Sequence, residues 1–166
     1  MNKIKSIALA GVAAVFTAMP SFARVEPETA QLLATVQDAG IAVTYNGEHC
    51  TNGILGKYRF LGMRRQMALC PGQTVDPIDH ATVRHEVWHA IQHCMNTMRQ
   101  TPFTTPVLED LDKLTELINE GLTVEQVNFI KANYPVEHWW VEFEANLAEG
   151  MTAEQIEEMV VGACLA

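Results

Sequence analysis

Basic side chains are scarce in the second half of this 166-residue chain. Residues 107–166 carry two, Lys113 and Lys131, against thirteen acidic ones, whereas residues 24–106 carry seven of each sign. Such a half repels a phosphate backbone, so nucleic acid is excluded as the expected partner. The acid reads instead as solvated helix faces. Three chemistries have no motif here: there is no G-x-S-x-G nucleophile elbow, no P-loop and no G-x-G-x-x-G. Cysteine is limited to Cys50, Cys70, Cys94 and Cys164, each twenty or more residues from the next. That spacing excludes a site built from paired cysteines. No internal repeat and no low-complexity segment interrupts the chain.

A membrane-length apolar run is also missing. The run from Ile7 to Ala18 is too short for a comfortable span. It follows Lys3 and Lys5 and precedes Pro20 and a small-x-small ending at Ser21-Phe22-Ala23, the layout of a secretory signal peptide. Cleavage after Ala23 leaves 24–166, a length suited to one domain. Without Lys3 and Lys5 the formal charge moves from −9 to −11. The expected location is secreted or periplasmic, with no membrane association once the leader is removed. An even cysteine count in an exported chain points to two disulfides. The favoured pairing is Cys50–Cys70, stapling neighbouring strands, with Cys94–Cys164, tying the last helix to the histidine-rich one. The rival use of Cys94 is as a metal ligand, which an oxidising compartment disfavours.

The elements run helix, small sheet, long helix, then further helices: an α+β domain. The pattern predicts a helix over 27–39 stopped by Gly40, then strands at IAVTYN (41–46), ILGKYRF (54–60) and RRQMALC (64–70). These form a small antiparallel sheet of two to four strands. Asp76, Pro77 and Asp79 predict the N-cap, N1 and N3 of a helix running to about Met98. Thr105 is a candidate cap for a helix over 107–120. Thr123 with Gln126 and Thr152 with Gln155 are capping-box patterns that each open a short helix. A further helix is expected over 136–149, stopped by Gly150.

The stretch HEVWHAIQHC (85–94) crowds five candidate metal ligands into ten residues. His85 and His89, four apart on a helix, put both imidazoles on one face, where they can share one ion. Glu86 can reach a water on that ion. This is H-E-x-x-H, the arrangement of zinc metallopeptidases. Zinc lowers the pKa of its water and the glutamate takes the proton. His93 continues the i+4 step, but three successive turns span about 12 Å of axis, too far for one ion. A metzincin site needs Gly at 92 and His at 95; this chain has Gln92 and Met95. His93 is therefore expected on the helix surface or behind a ligand. His80 is expected to be exposed. Trp139 and Trp140 are expected in the core, and Trp88 either there or along the cleft.

A catalytic zinc needs a third protein ligand. HWWVEFEANLAEG (138–150) is the best source, through Glu142 or Glu144, which point about 160° apart on a helix. HEVWH followed by EFEAN resembles the gluzincin branch of zincin metallopeptidases, over Asp76–Thr97 and Glu137–Gly150. The resemblance implies a minimal zincin-like domain with a long active-site helix. It implies His85, His89 and Glu142 as zinc ligands, with Glu142 preferred to Glu144, and Glu86 as general base. It also gives Asn146 a place behind a ligand histidine that some relatives fill with Asp. The implied activity is zinc-dependent hydrolysis of a peptide or protein substrate. Substrate would lie along a sheet edge, here RRQMALC (64–70). For the oxyanion His138 is the first candidate, ahead of Tyr134 and His49. The alternative is a zincin-like zinc-binding protein, with a binding or inhibitory role and no turnover.

Overall fold

The computed structural model describes residues 26–45, 50, 55–61, 64–70 and 79–166. The expected leader 1–23, His49, and Asp76 with Pro77 lie outside these residues. The described chain is an α+β domain with a three-stranded sheet and six α-helices.

Helix α1 (Pro27–Asp38) starts on a proline, whose missing N–H costs nothing there. It ends where Gly40 takes φ +76°, a left-handed turn that glycine makes without strain. The chain then enters β1 (Ile41–Tyr45). β2 (Gly56–Leu61) and β3 (Arg64–Leu69) follow as a hairpin. The sheet order is β1-β3-β2. β2 and β3 pair antiparallel, with Tyr58 opposite Met67, as expected. β1 and β3 are parallel, with Val43 opposite Met67. The expectation of a wholly antiparallel sheet is corrected there, because β3 lies between β1 and β2 and runs parallel to β1.

β3 is therefore the central strand and β2 an edge. Met67, Ala68 and Leu69 are buried in succession, as in a strand covered on both faces. β2 instead carries Lys57 and Arg59 at alternate positions, a charge pattern suited to an edge. The reading of 64–70 as the substrate-binding edge is corrected accordingly.

Helix α2 (His80–Arg99) packs against β2, β3 and the later helices α5 (Trp139–Ala148) and α6 (Ala153–Cys164). Its N-cap is Asp79, whose carboxylate accepts from the backbone N–H of Ala81 and Thr82, so the helix starts three residues later than expected. His80 is half-buried rather than exposed. Its Nδ1 lies 2.7 Å from the Thr29 hydroxyl. Helix α3 (Leu111–Gly121) is capped by Asp110, not Thr105. Both expected capping boxes are formed, on α4 (Val124–Asn133) and on α6. A short 3₁₀ turn, Val136–His138, precedes α5.

Two apolar clusters hold this arrangement. The larger joins Leu32 and Val36 of α1, Met67 and Leu69 of β3, Val83, Val87 and Ile91 of α2, and Ile156 and Val160 of α6. Trp88 belongs to it. The smaller joins Leu114, Ile118, Ile130 and Phe143, with Trp139 and Trp140 packed on it. Helix α5 serves both, through Ala145 and Ala148 on one side and Phe143 on the other. It is thereby fixed in rotation against α2. Cys94–Cys164 ties α2 to the end of α6, and Cys50–Cys70 closes the region beside β3. Both bridges are those favoured from sequence. Among the described residues no helix is long and apolar enough to cross a membrane.

Candidate metal centre

His85 and His89 stand one turn apart on the face of α2 that meets α5. That face also brings in Glu142, one turn into α5 and held by the two clusters on either side. The Nε2 atoms of the two histidines are 3.2 Å apart. Glu142 Oε2 lies 3.6 Å from His85 Nε2, and Glu142 Oε1 lies 3.5 Å from His89 Nε2. Three ligand atoms thus converge on one point, and the group could hold a metal ion.

The outer ring nitrogens explain why the inner ones face that point. His89 Nδ1 is 2.8 Å from Gln92 Oε1. The Gln92 amide nitrogen donates to the Val141 carbonyl and to Glu144 Oε2, each at 2.9 Å. Its oxygen is then left to accept, so Nδ1 of His89 carries the proton and Nε2 presents a lone pair. His85 Nδ1 is 2.9 Å from Glu149 Oε1, a carboxylate that can only accept. Two ring nitrogens 3.2 Å apart call for a positive charge between them, a shared proton or a metal ion. Glu142 Oε2 is also buried and makes no hydrogen bond. Such a group could hold a cation.

The electrostatics agree. Burial would push the His85 imidazole down, but Glu142 and Glu149, with Glu86 behind them, outweigh it and hold its pKa up to about 10. Burial would raise the Glu142 carboxyl, but His85 and His89 outweigh it and hold it down to about 2. A proton on His85 and a metal ion at the three ligand atoms are alternative ways to satisfy the same negative field.

No protein-family model, curated protein or solved structure matches this chain.

Glu86 is buried beside the two histidines, and burial raises its carboxyl pKa against the opposing pull of His89 and His85. Gly56 of β2 lies so close that a Cβ there would sit 2.6 Å from Glu86 Cγ. Glu144 is turned away from the centre. It is buried, and accepts from the backbone N–H of Val107 and Leu108 at 2.8 Å each as well as from Gln92. Asn146 does not support a histidine through its amide nitrogen, which donates to the Glu142 carbonyl within α5. That place is taken by Glu149 on His85 and by Gln92 on His89. Glu149 stands seven residues, two turns, beyond Glu142 and Gln92 three beyond His89; those spacings are the signals that could have found them. His93 is neither a surface residue nor a support for the centre. It is buried, stacked on Phe103 at 4.5 Å between ring centroids and met edge-on by Phe60 at 4.2 Å.

A cleft of about 630 Å³ opens over the centre. Gly56, Lys57, Tyr58 and Phe60 of β2 line one wall, and Phe129, Tyr134, His138 and Val141 the other. The Tyr134 phenol is pushed up to about 12 by burial and by the Glu142 and Glu86 carboxylates, so it keeps its proton. His138 and Tyr134 therefore both flank the space above the ligand atoms.

Proposed function

We propose that this protein is a secreted or periplasmic zinc metallopeptidase of gluzincin type, with His85, His89 and Glu142 as ligands and Glu86 as general base. The observation that carries the reading is the convergence of two imidazole Nε2 atoms and one buried carboxylate beside a second, separate carboxylate in an open cleft. Two nitrogens sharing a tetrahedral zinc at 2.0–2.1 Å would stand about 3.3 Å apart, and the observed separation is 3.2 Å. Nitrogen and oxygen donors of this type suit zinc, and the open side leaves room for water and substrate. The two disulfides fit an oxidising compartment.

Zinc, when bound, supplies an acidified water and a Lewis acid for the scissile carbonyl. The chain's own residues supply the rest. Glu86, with its carboxyl pKa raised by burial, takes a proton from the attacking water and passes it to the leaving amine. Glu149 and Gln92 keep the two imidazoles oriented. Tyr134, which holds its phenolic proton, and His138 on the same wall donate to the developing oxyanion. The edge of β2, unpaired among the described residues, offers main-chain groups along which an extended peptide can lie.

Two measurements test this. Metal analysis of the purified chain should give about one zinc per molecule. No zinc above background, even after reconstitution, would end the reading. Glu86→Gln should retain the zinc and abolish cleavage of a mixed peptide library. If the zinc-loaded wild type also cleaves nothing in that library, the peptidase assignment fails and a binding role without turnover takes its place.

A further inference from the structure

Beyond the ligand atoms, the β2 wall of the cleft becomes aromatic. Phe60 and Phe103 are 5.5 Å apart between ring centroids, and His93 fits between α2 and both of them. Tyr58 meets the same imidazole edge-on at 5.8 Å. His93 itself is 8 % exposed, yet Phe60 and Phe103 are 43 % and 51 % exposed, and all three face the cleft. A contiguous open aromatic surface inside a binding cleft marks a site for an apolar partner more than a packing residue does. Within this aromatic group His93 adds no strong charge, since burial and the Arg65 guanidinium push its pKa below its ordinary value.

The position of this wall is fixed by two rulers. His93 is four residues beyond His89 on α2, about 6 Å along the axis. An extended peptide advances about 3.3 Å per residue, so this is about two residues. Tyr58 and Phe60 alternate on one face of β2, the face that also carries Gly56 beside Glu86. A peptide lying on this strand with its scissile carbonyl level with His89 brings a side chain over the aromatic wall about two residues away.

We propose that the Phe60–His93–Phe103 wall is the specificity subsite of the cleft and takes a large aromatic side chain of a peptide substrate about two residues from the scissile bond. This rests on the peptidase reading, and the tests are chosen so that the two can fail separately. In a zinc-loaded mixed peptide library, Phe, Tyr or Trp should be enriched at one position within two residues of the cut. Burial of one such ring should favour it over Ala by about 10- to 100-fold in kcat/KM. Phe103→Ala and Phe60→Ala, both at exposed positions, should collapse that ratio toward one while zinc content stays unchanged. Independently of turnover, N-acetyl-Phe-Ala-amide should shift the His93 ring-proton resonances, and N-acetyl-Ala-Ala-amide should not. A His93 shift without cleavage supports the subsite and removes the peptidase. Cleavage with no aromatic preference, a preference that survives both Phe variants, or an unmoved His93 signal would each overturn the subsite.

Discussion

Gln92 decides which nitrogen of His89 is available. Its amide nitrogen is committed to two acceptors, Val141 O and Glu144 Oε2, so its oxygen can only receive the His89 Nδ1 proton. Replacing it with Leu keeps the bulk and removes the acceptor. The ring can then rotate, or carry its proton on the inner nitrogen. Gln92→Leu should therefore weaken zinc about 10- to 100-fold, measured by competition with a chromophoric chelator, with little change in secondary structure. An unchanged zinc affinity would reduce Gln92 to a packing residue. The ligand pair His85 and His89 was legible in the sequence because i, i+4 spacing fixes it on any helix. The choice of Glu142 over Glu144 was not set by spacing. It depends on the rotation of α5, which Phe143 in one cluster and Ala145 and Ala148 in the other determine. For the same reason Asn146 faces its own helix backbone while Glu149 reaches His85.

At the scale of elements, the site depends on how closely β2 approaches α2. Gly56 permits that approach, since a Cβ there would sit 2.7 Å from Thr82 Cγ2 and 2.9 Å from Glu86 Oε1 as well as against Glu86 Cγ. Gly56→Ala must push the strand away or displace the carboxylate. It should cost about 1–3 kcal/mol of stability and lower kcat/KM at least tenfold with the zinc retained. Thermal melts, metal analysis and a cleavage assay separate the three effects, and a wild-type kcat/KM would show that Glu86 tolerates the shift. The helices were largely legible, because capping boxes and glycine stops are local signals. The sheet order was not. Three short β-rich runs read alike until the unbroken burial of Met67, Ala68 and Leu69 is set against the charged alternation of Lys57 and Arg59. Central and edge strands differ in what covers them, which is a property of the fold and only faintly of the run itself. The start of α2 falls at Asp79 rather than Asp76 because either aspartate fits the cap pattern, and it is the Asp79 carboxylate that accepts from Ala81 and Thr82.

In the molecule as a whole, acidic residues outnumber basic ones by twenty to eleven, and three carboxylates crowd the two histidines of the centre. If the centre holds zinc as proposed, the ion and the proton on His85 compete for that field, so stability and affinity should respond oppositely to pH. The folded His85 pKa, about 10, lies above its ordinary value of 6.5. Its contribution to the metal-free chain is therefore full below about pH 6.5 and is lost as pH rises through 10. Glu142, lowered from 4.5 to about 2, contributes above about pH 4.5 and loses that as pH falls through 2. In chelator, melting temperature should thus be highest between these limits with respect to this pair and decline toward alkaline pH. Zinc must displace the His85 proton, so its apparent affinity should rise about tenfold per pH unit from pH 6 to 9. The stabilisation conferred by saturating zinc then grows over the pH range where that conferred by the proton fades. Calorimetric titrations in buffers of differing ionisation enthalpy would count the released proton directly. A zinc affinity flat across that range, with no proton released, would show that His85 does not hold the charge that the metal replaces.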